Sequence, residues 1–136
     1  VSDAAAIVAR WARETEADLR TVFREAAQDV ADNVSVGGAH AMGTPVKTGF
    51  ARNSWHATLD GSTPGANGTA PSMALVIASA DLADTVTISN STEYLPYLED
   101  GSTTPRAPFV SGWIASTVQA WPSIVALAAR RLRRSP

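Results

Sequence analysis

The chain has 136 residues, 45% of them hydrophobic and 18% charged, with a net charge of −2 and no cysteine. That length suits one domain with a real core, and the composition excludes wholesale disorder. The missing cysteines exclude disulfides and thiol chemistry and fit a protein made in a reducing cytoplasm.

From Ser2 to about Val34 the apolar residues Ala4, Ile7, Val8, Trp11, Leu19, Val22, Phe23, Ala26, Val30 and Val34 recur at spacings of three and four. This predicts one long amphipathic helix, with Ser2 as its N-cap and Asp3 at the positive end of its dipole. About 30 residues at 1.5 Å each give a rod on the order of 45 Å, longer than such a domain needs. Part of it is expected to project or to pack on another subunit, although a break near Thr15 would also satisfy the pattern. A start at Ser2 and Asp3, with no basic segment leading into an apolar one, does not read as a signal peptide, and no apolar run is long enough to span a membrane.

Residues 35–50 are punctuated by glycines and Pro45 and read as a loop. Asn53 to Asp60 alternates, with Trp55, Ala57 and Leu59 against Ser54, His56 and Thr58, which predicts a half-buried strand. The Gly, Ser, Thr, Pro and Asn content of 61–71 cannot offset its ordering entropy, so a flexible loop is expected there. Ser72 to Leu82 reads as a short helix capped by Ser72, with a strand over Leu75 to Ile77 as the other reading. Thr85 to Ser89 alternates as a second strand.

Glu93 to Glu99 reads as a short helix or turn ending at Gly101. Pro108 is placed to start a last helix, whose stripe runs through Phe109, Val110, Trp113, Ile114, Thr117, Val118 and Trp121 until Pro122 kinks or restarts it. Residues 1–35 carry seven acids and four bases, whereas residues 101–136 carry five arginines and no acid, as suits a subunit with oppositely charged faces. The expected fold is a single α+β domain over residues 1–136. In it a small antiparallel sheet packs against a long N-terminal helix and a kinked C-terminal helix.

Three stretches carry a resemblance. The first is Thr44 to Trp55, with Pro45, Thr48, Gly49, Arg52, Ser54 and Trp55; the second is Ser89 to Gly101, with Asn90, Pro96, Tyr97, Glu99 and Gly101; the third opens at Ala107 and Pro108. Together they resemble the tail-component family of long-tailed bacteriophages, which includes neck proteins and the minor tail protein Z of lambdoid phages. Lys47 stands where that family usually has an acid, and the interval from Asn90 to Pro96 is longer than its pattern.

The resemblance implies a structural virion protein of the neck, acting in tail completion as a ring, with six copies expected, around the DNA path at the head-to-tail junction. Such a protein is expected to be made in the host cytoplasm. Its implied partners are copies of itself, head-completion, tail-terminator or tail-tube proteins and, non-specifically, genomic DNA. No cofactor, metal, membrane or enzymatic activity is implied.

Single residues divide along the same lines. Trp11, Leu19 and Phe23 on the projecting helix are subunit-interface candidates, with Trp11 as the anchor; by default the four tryptophans Trp11, Trp55, Trp113 and Trp121 would be mostly core. Arg52 and Glu99 would form an ion pair that fixes geometry, unless Arg52 is solvated or reaches a neighbour. Gly49 and Gly101 are expected at positive φ. Arg130, Arg131, Arg133 and Arg134 either face DNA phosphates or are a solvated helix end complementing its own dipole.

His40 and His56 lack the companions of a zinc site, and Tyr94, Tyr97, Glu99 and Asp100 form no recognisable acid–base or nucleophile motif. The competing functions are a small DNA-binding or regulatory protein using the arginine-rich end, and an enzyme with an unrecognised pocket.

Overall fold

The computed structural model describes residues 2–45, 50–65, 71–93, 95–100 and 112–134, without the side chains of Ser2, Tyr97, Leu98, Asp100 and Arg134. The architecture is α+β. It starts with α1 (Ser2–Val34), an unbroken helix of 33 residues, about 50 Å long at 1.5 Å per residue. The threonines inside it do not break it. Thr15 Oγ1 donates to the Trp11 carbonyl (2.8 Å) and Thr21 Oγ1 to the Ala17 carbonyl (3.0 Å), so both hydroxyls are satisfied within the helix. The cap expected of Ser2 rests on a side chain outside the described residues.

After α1 the chain makes a tight return. Gly37 has φ +101° and Gly43 has φ +84°, and a Cβ on Gly43 would lie 2.5 Å from the Gly37 nitrogen. Only glycine allows that backbone conformation and that approach together. A single 3-10 turn (Arg52–Ser54) leads into β1 (Trp55–Thr58). The strand is shorter than its alternation predicts, because residues 52–54 are wound into the turn. Nor is it half-exposed: Trp55, His56 and Ala57 are all buried.

Next come α2 (Met73–Ser79), whose first turn is capped by Ser72 Oγ accepting from the Leu75 N–H (3.3 Å), and β2 (Thr87–Asn90). The helical reading of Ser72 to Leu82 therefore holds over its first part, and the second strand starts two residues later and ends one residue later than its pattern suggests. The strands form a two-stranded antiparallel sheet in which Trp55 pairs with Asn90, His56 with Ser89, Ala57 with Ile88 and Thr58 with Thr87.

The chain then forms α3 (Leu95–Asp100), α4 (Trp113–Gln119) and α5 (Trp121–Arg134). A last helix running on from Pro108 is corrected here. Gly112 has φ +79°, outside the helical region, and stands as N-cap, so the helix begins at Trp113. Phe109 and Val110 lie outside the described residues. Pro122 restarts the helix rather than kinking it: α4 ends at Ala120, and Pro122 falls in the first turn of α5, where its missing N–H costs no bond.

The core rests on the second half of α1. There Ala26, Ala27 and Ala31 present almost no side chain, which lets neighbours come close. Ala27 and Ala31 pack with Ala57 and Ile77, joining α1 to the sheet and α2. Ala26 packs with Ile124 and Ala128 of α5. At the lower end of α1, Val34, Ala51, Trp55, Leu95 and Trp113 form a third cluster. Trp113, at the start of α4, lies beside Val34, and α4 climbs back along α1 before α5 turns to cross its middle. Among the described residues no helix is long and apolar enough to cross a membrane.

Candidate subunit interface

Among the described residues the last polar ties between α1 and the body of the domain are made by two arginines. Arg20 Nε lies 3.0 Å from Asp81 Oδ1, and Arg24 Nε donates to the Ala80 carbonyl at 2.7 Å. Above them residues 3–14 and 16–19 are all exposed and Thr15 is half-buried. This overhang of 17 residues, 3 through 19, is about 25 Å long.

Its apolar side chains stand in solvent: Ile7 is 58% exposed, Val8 62%, Trp11 65% and Leu19 54%. Helical periodicity puts Ala4, Val8, Trp11, Val22 and Ala26 on one face. Lower on that face, Val22 and Ala26 are covered by α5. The same stripe is thus core below Val22 and bare above Leu19. Of the expected interface residues, Trp11 and Leu19 sit on the overhang. Phe23 does not: it is half-buried and forms part of a groove wall.

That groove, of about 430 Å³, runs between α1, α4, the start of α5 and the segment entering β2. Phe23, Ala27 and Val30 form one wall; Val86, Ile88, Val118 and Trp121 add to the apolar lining beside Thr85 and Thr117, and among the described residues Asp84 is its one charged side chain. Val118 is 68% exposed and Trp121 43%. Trp121, like Trp11, is therefore not a core residue, whereas Trp55 and Trp113 are buried.

Five described residues of the resembling blocks, Thr44, Arg52, Ser54, Trp55 and Asn90, make contacts elsewhere, around the foot of α1, that hold the fold. Thr44 is fully buried; its hydroxyl donates to the Val34 carbonyl (2.6 Å) and accepts from Trp55 Nε1 (2.7 Å). Trp113 Nε1 donates to the same Val34 carbonyl (2.9 Å). Arg52 Nε donates to the Thr44 carbonyl (3.1 Å), and Asn90 Nδ2 donates to the Ala51 carbonyl (2.7 Å). Ser54 Oγ donates to the Phe50 carbonyl (2.6 Å).

The expected Arg52–Glu99 ion pair is absent among the described residues. Each group is engaged with backbone instead. Both Glu99 carboxylate oxygens accept first-turn N–H groups of α4, from Ile114 (3.0 Å) and Ala115 (2.9 Å). Gly112 has no side chain with which to cap that helix, and a carboxylate borrowed from α3 does so. Pro45 is half-buried and Pro96 is exposed. Thr48, Gly49, Gly101, Ala107 and Pro108, and the Tyr97 side chain, lie outside the described residues.

Arg130, Arg131 and Arg133 are exposed at the end of α5, and the Arg134 side chain lies outside the described residues. Arg131 Nη1 pairs with Asp29 Oδ2 at 3.1 Å. His40 and His56 each have a buried Nε2 without a hydrogen-bond partner, and Ser89, cross-strand from His56, has a buried unpartnered Oγ. Among the described residues no three His, Cys, Asp or Glu side chains are grouped to hold a metal. Tyr94 lies outside the described residues, and Glu99 is engaged as a cap.

Sequence reasoning missed Thr44 and Asn33 as structural centres, although Thr44 adjoins Pro45 in the first block. Asn33 is buried in the last turn of α1, where its Oδ1 accepts from the His40 and Ala41 N–H groups (2.8 and 2.9 Å). An Asn at the end of the helical pattern, four residues before the Gly37-Gly38 pair, was the available signal. The groove had none, since its walls come from three separated segments.

Comparison of the chain with models of known protein families, with curated proteins and with solved structures finds no match.

Proposed function

We propose that the chain is a structural subunit that associates with copies of itself into a ring at the phage head-to-tail junction, around the DNA path. The observation that carries self-association is the overhang of α1. Its apolar stripe is bare over residues 4–11, although the same face is core where α5 reaches it. Leaving such a stripe in water forgoes roughly 25 cal/mol per Å² of apolar surface, which a neighbouring subunit would recover.

The virion location is supported by the three sequence blocks that resemble the phage tail-component family. Several of their residues act here as fold-holding contacts, as a shared scaffold would require. Six copies, and docking on head-completion, tail-terminator or tail-tube proteins, follow from the same resemblance. The role needs no cofactor and no chemical step. Arg130 and Arg133, exposed at the end of α5, are placed to touch passing phosphates without sequence preference.

Mass measurement of the purified chain, alone and mixed with neck components, tests the reading. It predicts a multimer and a further complex with at least one neck protein. A monomer at all concentrations that ignores those proteins but holds duplex DNA at physiological salt contradicts it, and favours the DNA-binding alternative.

A further inference from the structure

The chain carries two unpartnered apolar features of opposite shape. One is convex, the stripe of Ile7, Val8 and Trp11; the other is concave, the groove rimmed by Val118 and Trp121. They cannot meet within one molecule. Phe23 of the groove wall and Trp11 of the stripe lie on the same unbroken helix, twelve residues and about 18 Å apart.

Pairing two stripes with each other is also poor. Continuing the stripe toward Leu19 brings Glu14 and Asp18 beside the seam, where a paired helix would desolvate them. The groove has a volume of about 430 Å³ and a mostly apolar lining. Among the described residues its single charged lining residue, Asp84, is an acid, and Arg10 flanks the stripe one turn beyond Ile7.

We infer that the Trp11 stripe of one copy seats in the groove beside Val118 of the next copy, with Arg10 meeting Asp84. The inference rests on the self-association proposed above and specifies its contact. Stripe and groove are different surfaces of the same chain, so the contact is head-to-tail, which closes into a ring when the rotation per subunit allows it.

The cysteine-free sequence makes the test clean. Chains carrying V8C alone and V118C alone, both at exposed positions, are mixed and treated with a short bis-maleimide, and their masses are measured without cross-linker. The expected result is a covalent dimer joining one chain of each kind, and a ladder of multimers from a chain carrying both substitutions. Association accompanied by V8C–V8C dimers, or by no cross-link at either site, overturns this contact and leaves self-association standing. Absence of association in the unsubstituted chain overturns both. In addition, Trp11→Ala should weaken association about 30-fold or more, as for a central aromatic anchor. Its thermal unfolding as an isolated chain should stay unchanged, and an unchanged association constant counts against the contact.

Discussion

Thr44 shows how one small side chain can hold several parts of a fold. Thr44→Val keeps the shape but leaves the buried Trp55 indole N–H without its acceptor. The Val34 carbonyl, by contrast, still accepts from Trp113. The orphaned donor sets the cost, about 1–3 kcal/mol, readable as a lower urea midpoint with an unchanged slope. Gly43→Ala places a Cβ 2.5 Å from backbone at φ +84°. The conformation alone costs about 1–3 kcal/mol, and the backbone clash adds to it, so this variant should unfold at lower denaturant than Thr44→Val. None of this was legible beforehand. Periodicity reports which face of an element is apolar, but a hydrogen-bond hub at a loop depends on where distant segments meet.

Elements were legible where their signals are local. The long helix, the Ser72 cap and the restart at Pro122 each depend on residues within a turn or two, and all three stand in the structure. The strands were blurred at their ends, because β1 starts where Trp55 pairs with Asn90, after the 3-10 turn at Arg52–Ser54, and β2 starts where Thr87 pairs with Thr58. The start of α4 was misplaced for a related reason. Its cap is Glu99, on another helix, which no local signal announces.

Glu99→Ala should therefore destabilise by about 0.5–2 kcal/mol, the usual range for a lost cap. Hydrogen exchange should locate the loss in the first turn of α4. The tie from α1 to the segment after α2 has its own pH signature. The Leu82 N–H and then Arg20 hold the Asp81 carboxyl below the ordinary carboxylate range. A depressed carboxyl contributes stability above its unfolded-state pKa and loses it as pH falls through the lower folded value. Asp81→Asn should flatten that acid limb of the stability curve, and salt should shrink the difference, since the Arg20–Asp81 pair is largely exposed.

At the scale of the molecule, an overlong first helix could be foreseen from its length alone. Which part would project could not. The stripe is continuous in sequence, and only the placement of α5 against Ala26 divides covered from bare. Conversely, the groove that suits the stripe is built from segments the sequence keeps apart. On the proposed reading the exposed Arg130 and Arg133 touch DNA phosphates; Arg130→Ala with Arg133→Ala should then reduce duplex retention on a column uniformly across DNA sequences and leave the mass of the assembly unchanged.

Whether the overhang joins subunits is decided by sedimentation velocity of the 136-residue chain beside one lacking residues 1–19. The 136-residue chain should sediment as a multimer, and the shortened chain as a monomer that unfolds at nearly the same temperature. A 136-residue chain that stays monomeric at every concentration, or a shortened chain that associates as strongly as the longer one, would contradict that role of the overhang.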